Sequence, residues 1–415
     1  MQRRLVALAT LTALAAGLIA APTAAAGTVR YVDDDGTAGV RGCNGSAVVS
    51  TTIGGALAAA APGDTILVCP GRYPERVTID VKGVTVRAVQ RWKAVIVPRT
   101  TTSDPIVRVD ARDVTVQWLS VVARTTGRCS IVWSGIEVDS VAGARIVSNR
   151  VLSAANGDTL YGACGLLSGI GVTDGATDAL VAHNVVRDFR TSGIGVSFAE
   201  ARVIDNSLQY WHEGAACTSR LADCAPRRPA AALPPTGVYV YKSTAVVSLN
   251  ATSNGPDGTS SLPYLTTGVS VHGSDGVRIR RNLIRRALLG IMIEDLDGAR
   301  VAGNVVVGTG VKAPGRTTPA GSPPGLIAIS VTDSQIRDSH VLDFSFGIVM
   351  GLGSQGNTIQ GNDATGNGID CQDLAGPVGE TPVTDNTWID NLGNADQPVG
   401  LCTDAPVQTE PGSPT

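Results

Sequence analysis

Apolar positions along this chain alternate with polar ones in short runs, and no helical stripe organises most of its length. A compact unit recurs: Gly135-Ile136-x-Val138 with Asn149, Gly169-Ile170-x-Val172 with Asn184, Gly193-Ile194-x-Val196 with Asn206, and Gly237-Val238-x-Val240 with Asn250. Gly268-Val269-x-Val271 with Asn282, Gly290-Ile291-x-Ile293 with Asn304, and Gly347-Ile348-x-Met350 with Asn362 continue it. Where no longer segment intervenes, as from Asn184 to Asn206 or Asn282 to Asn304, the asparagines are 22 residues apart. A fixed period of that size predicts a solenoid. Each unit predicts three short strands: Gly-Ile-x-Val, a second such as Ala144-Arg145-Ile146-Val147, then the asparagine, then a third such as Arg150-Val151-Leu152. The asparagine is expected at a tight bend, where it takes an unusual φ and hydrogen-bonds its counterparts above and below.

An entry segment precedes the repeats: Tyr31-Val32-Asp33-Asp34-Asp35-Gly36, then Thr52-Ile53-x-x-Ala56-Leu57-x-x-Ala60 and Pro62-Gly63-Asp64-Thr65-Ile66-x-Val68, then Pro70-Gly71-x-Tyr73-x-Glu75. With the repeats, it resembles the secreted right-handed parallel β-helix proteins of the pectate lyase-like superfamily over about residues 28 to 400. The resemblance implies an all-β, single-stranded right-handed parallel β-helix whose first coil is plugged by a short N-terminal helix. It also implies that a sugar chain lies in a groove on one face. It does not imply one reaction, because this scaffold carries lyases, hydrolases, epimerases and non-catalytic proteins.

Arg3 and Arg4, the apolar run from Leu5 and the string Ala24-Ala25-Ala26-Gly27 predict a signal peptide over 1–26 and a secreted protein. One β-helix domain is expected over 27–403, with the plug and first coils in 27–80 and a disordered tail over 404–415. A net charge of −3, with both signs interspersed, makes no case for nucleic acid or membrane, and a monomer is expected. Eight cysteines in an exported chain imply disulfides. Position relative to the repeats suggests Cys43–Cys69, Cys129–Cys164, Cys217–Cys224 and Cys371–Cys402. About ten coils, roughly 48 Å at the strand spacing, are expected.

Insertions at 123–134, 153–168, 207–236, 251–267 and 308–324 all fall between the third strand of one coil and the Gly-Ile strand of the next, beside the same predicted face. On that face one outward column reads Glu137, Gly171, Gly195, Tyr239, Ser270, Met292, and its neighbour reads Asp139, Thr173, Ser197, Tyr241, His272, Glu294. Tyr241, His272 and Glu294 are therefore expected to form one polar cluster. Trp211, His212, Arg227, Arg228, Tyr239 and Lys242 are candidate substrate-binding residues, since aromatic rings suit sugar C–H faces and cations hold carboxylates.

These residues suggest a polysaccharide as partner and uronate lyase or epimerase chemistry. His272 would be the base, Tyr241 the proton donor, and Glu294 the residue that orients the imidazole or binds calcium. The acidic turn Glu294, Asp295, Asp297 is the candidate calcium site; no other cofactor is expected. A glycoside hydrolase is an alternative, although Asp139 and Glu294 lie five coils, roughly 24 Å, apart. That leaves Glu294 with Asp295, Asp297 or Asp275. A non-catalytic glycan-binding or adhesion protein is the other alternative. Three Met and four dispersed His argue against a copper role on ligand grounds.

Overall fold

The structure, a computed structural model, describes residues 27–36, 43, 48–99, 102–124, 131–154, 165–210, 235–254, 267–308, 324–375 and 385–403. Because each repeat supplies three short strands with alternating apolar positions, the described residues stack into three parallel sheets of twelve, fourteen and ten strands. They form a right-handed parallel β-helix. The twelve-stranded sheet, here the face sheet, collects the Gly-Ile strands. It runs from Val77–Ile79 through Gly165–Thr173, Phe189–Ser197, Thr236–Tyr241, Thr267–His272 and Leu289–Asp297 to Asp396–Gln397.

Among the described residues the face sheet counts twelve coils where about ten were expected, roughly 53 Å at the strand spacing. The extra coils are those whose signature is degenerate. Val77–Ile79 and Val107–Val109 lack the glycine. The strand Pro324–Thr332 pairs Leu326 with Ile291 and Ala328 with Ile293, and Ser339 stands in its asparagine position.

Inward residues such as Ile170, Val172, Ile194 and Val196 are fully buried, each worth about 1.5–3 kcal/mol of burial. The motif glycine is required by close approach rather than by φ. A Cβ on Gly169 would sit 2.6 Å from the Gly193 carbonyl oxygen of the next coil. The asparagines stack as expected: the side-chain amides of Asn184, Asn206, Asn250 and Asn282 each donate to the next asparagine's Oδ1 at 2.9–3.0 Å. Each Oδ1 also accepts the backbone N–H of the asparagine below, as Asn206 does from Asn184 at 2.9 Å. The unusual φ is not theirs, however. The preceding residue carries it, at 57° for His183, 53° for Asp205 and 58° for Leu249, so the turn is made before the ladder and the asparagine locks it.

The plug is the helix Ile53–Ala58, which lays Ile53, Ala56 and Leu57 into the end of the core. Thr52 accepts from Gly55 N–H, and the Glu75 carboxylate takes the N–H groups of Ile53 and Gly54 at 2.8 and 2.9 Å. Below it, Asp64 accepts from Thr28 N–H, Ala61 N–H and Arg30 Nε. Disulfides Cys43–Cys69 and Cys371–Cys402, with Cα atoms 5.5 and 6.1 Å apart, tie the two ends. The pairs Cys129–Cys164 and Cys217–Cys224, the signal peptide and the tail lie outside the described residues.

Candidate functional site

Strand alternation builds the site. In Thr236–Tyr241, Val238 and Val240 fill the core, so Tyr239 and Tyr241 face outward. The ladder then pairs Tyr239 with Ser270 and Tyr241 with His272, and the next pairs Ser270 with Met292 and His272 with Glu294. Both columns expected from the sequence therefore stand in register. Tyr241, His272 and Glu294 occupy adjacent coils.

His272 Nδ1 lies 2.7 Å from Glu294 Oε2, with both side chains partly buried. With Nδ1–H directed at that carboxylate, Nε2 becomes the accepting nitrogen. It lies 2.9 Å from the Ser270 hydroxyl. Tyr239 stacks parallel to Tyr241 at 6.4 Å and sits 5.8 Å from the His272 ring. Phe198, half-exposed at the preceding bend, meets Tyr241 edge-on at 5.3 Å, and Lys242 Nζ lies over the same tyrosine ring at 5.3 Å. Burial pushes the Tyr239 phenol above its usual pKa, with the charges of Tyr241 and Glu294 adding to the effect. Beside the face, Phe198, Lys242, Gly273 and Asp275 line an open depression of about 420 Å³. It adjoins the histidine rather than containing it.

Below Tyr239 the floor becomes flat and polar, a feature sequence reasoning did not single out. Gly171 and Gly195 leave the outer column without side chains, and Ser192 Oγ donates to Ser168 Oγ at 3.0 Å alongside. Glu137 closes this strip three coils down, its carboxyl pushed above the usual range by burial. Next to it, Arg108 holds Asp110 and Asp139 together. Asp139 and Glu294 are five ladder steps apart and cannot act as one carboxylate pair.

The three carboxylates of the acidic turn have different surroundings. Glu294 is engaged with His272, Asp295 turns into solvent at a φ of 52°, and Asp297 Oδ1 accepts from Thr332 Oγ1 at 2.8 Å. No group of three or more potential metal ligands occurs among the described residues. Asp275 Oδ1 accepts the Asp297 N–H, which ties that aspartate into the turn. His183 and His340 are surface residues paired with Asp205 and Asp363 at the ladder bends. Trp211, His212, Arg227 and Arg228 lie outside the described residues.

No protein-family model matches the sequence, and no curated protein matches it. Solved structures do. A mannuronic acid specific polysaccharide family 6 lyase from human gut microbiota aligns over 81% of this chain and 76% of its own, with 13% identity and a TM-score of 0.55. The chain shares that lyase's fold, a parallel β-helix. A PL6 alginate lyase complexed with a trisaccharide aligns with this β-helix over 90% of the chain and 87% of its own, at 12% identity and a TM-score of 0.51. The Dettilon tailspike protein aligns over 73% of this chain and 61% of its own, at 14% identity and a TM-score of 0.50. At such identities the likeness is one of scaffold.

Proposed function

We propose that the chain is a secreted carbohydrate-active protein that binds a polysaccharide along its face sheet and acts on uronate residues by β-elimination or epimerisation. The observation that carries this reading is the oriented imidazole: Glu294 holds His272 Nδ1 at 2.7 Å in an outward column continuous with Tyr241. Removing the proton α to a uronate carboxylate needs such a base. It also needs a cation to offset the developing charge, for which Lys242 is placed beside Tyr241. Tyr241 then returns a proton to the leaving oxygen in elimination or to the opposite sugar face in epimerisation. The aromatic group Phe198, Tyr239 and Tyr241 offers stacking surfaces for pyranose rings, and the strip of Gly171 and Gly195 below is edged by the hydroxyls of Ser168 and Ser192. Two solved structures with this scaffold are lyases, one specific for mannuronic acid and one for alginate, which favours uronates as the first substrates to test. Disulfides at both ends suit an oxidising compartment.

The test is incubation of the purified protein with uronate-containing and neutral polysaccharides. Elimination produces ultraviolet absorbance from an unsaturated sugar. New reducing ends without that absorbance would replace the reading with hydrolysis, and glycan binding without either signal would replace it with a binding module.

A further inference from the structure

One contact is not required by elimination chemistry. Nε2, the nitrogen that Glu294 leaves as the acceptor, is occupied by the Ser270 hydroxyl at 2.9 Å. Ser270 and His272 are two residues apart on one strand and point to the same side, and Glu294 is the ladder partner of His272 on the next coil. The result is a continuous relay from hydroxyl through imidazole to carboxylate, the arrangement that activates a serine for acyl transfer whatever the surrounding fold.

We propose that Ser270 is a nucleophile and that this site cleaves small carboxylic esters carried by the polysaccharide. Ser270 Oγ attacks the ester carbonyl carbon as its proton passes to His272 Nε2. The tetrahedral intermediate collapses with cleavage of the carbon–oxygen bond, and the departing alcohol takes the proton from Nε2. Water then attacks the acyl-serine, gives one proton to Nε2, and releases the acid as the serine hydroxyl is restored. Tyr239 is the ladder partner of Ser270, and its phenol, protonated at neutral pH as phenols are, is the proposed donor to the developing oxyanion.

The surroundings select the size of the ester. Ser270 is the small residue between Tyr239 and Met292 in its column and is only 3% exposed. That narrow setting suits an acetyl group on a sugar hydroxyl, or the small methoxy leaving group of a uronate methyl ester, and excludes long acyl chains and bulky ester alcohols. An acetate on a sugar hydroxyl and a methyl ester on a uronate carboxyl share the chemistry, and their products, acetate and methanol, tell them apart.

This inference rests on the reading of the face sheet as a polysaccharide site with His272 as its base. Elimination without ester cleavage would overturn the inference alone, and ester cleavage without elimination would overturn the elimination reading alone. The experiment treats the full chain with a fluorophosphonate, maps the modified peptide by mass, and measures acetate and methanol release from acetylated and methyl-esterified polysaccharides. The expected result is an adduct on Ser270, formed at least about a hundredfold more slowly in His272→Ala. Ester release should fall at least about a thousandfold in Ser270→Ala. Wild-type labelling needs no variant to fold, and a serine that merely positions the imidazole forms no adduct. No adduct at Ser270, release that persists in Ser270→Ala, or an adduct without acetate or methanol release each overturns the proposal.

Discussion

Two stacks of polar side chains run along this β-helix, and they differ in almost every respect that matters. The asparagine ladder from Asn149 to Asn304 repeats one residue type on consecutive coils, buried, with each Oδ1 accepting from the coil below. The outer columns repeat nothing around His272. Across three coils they read Tyr239–Ser270–Met292 and Tyr241–His272–Glu294, the second partly open to solvent and Ser270 covered by its neighbours. A buried polar group must be satisfied by a partner of matching geometry, and in a solenoid the cheapest solution is the same residue again. An exposed column has no such constraint. Where it nevertheless joins unlike groups by short hydrogen bonds, the contact points to chemistry rather than to folding.

Breaking the ladder should have the largest effect. Asn206→Ala removes an acceptor used by both the Asn184 backbone N–H and its side-chain amide, and removes two further donations to backbone carbonyls. Leaving those groups unpaired should cost about 3–5 kcal/mol, read as a large fall in melting temperature. The outer column should respond in the opposite way. His272→Ala should lower turnover by at least about a hundredfold while stability falls by only about 1 kcal/mol, the worth of its partly exposed ion pair and one hydrogen bond. Kinetics and thermal melting on the two variants together test the comparison, and near-normal turnover in the second would remove His272 as the base.

Titration sharpens it further. The Ala61 N–H, then Arg30, hold the Asp64 carboxyl below its ordinary 3.8, against the desolvation that opposes them. A depressed folded-state pKa contributes stability above the unfolded value, and that contribution is lost as pH falls through the folded one. Hydrogen-exchange protection of the plug should therefore weaken below pH 3.8, and Asp64→Asn should remove that dependence while lowering protection at neutral pH. Glu137 has the reverse sign. Burial raises its pKa above 4.5, so its contribution is present below that value and lost as pH rises through the folded one. Glu137→Gln should raise the melting temperature slightly at pH 7 and not at pH 4. Because the group is partly solvated, the gain should be about 1 kcal/mol or less.

Much of this was legible in the chain. The glycine and asparagine spacing predicted the strands, and alternation placed Tyr241, His272 and Glu294 on one line. Coils whose markers had drifted, such as Gly325-Leu326-Ile327-Ala328 with Ser339, escaped notice because the core accepts any apolar side chain and the ladder accepts a hydroxyl. The acidic turn at Glu294, Asp295 and Asp297 suggested a cation, since residue types alone do not show that Glu294 turns to His272 and Asp297 to Thr332.

The sequence by itself determined the solenoid, the inward and outward faces and the register, because a period of 22 residues and a period of two leave one way to stack coils that buries the aliphatic positions. Only the tertiary structure decided which outward groups touch. Whether His272 turns one nitrogen to Glu294 and the other to Ser270 depends on side-chain torsions and on neighbours two residues and one coil away, and strand periodicity carries no information about either.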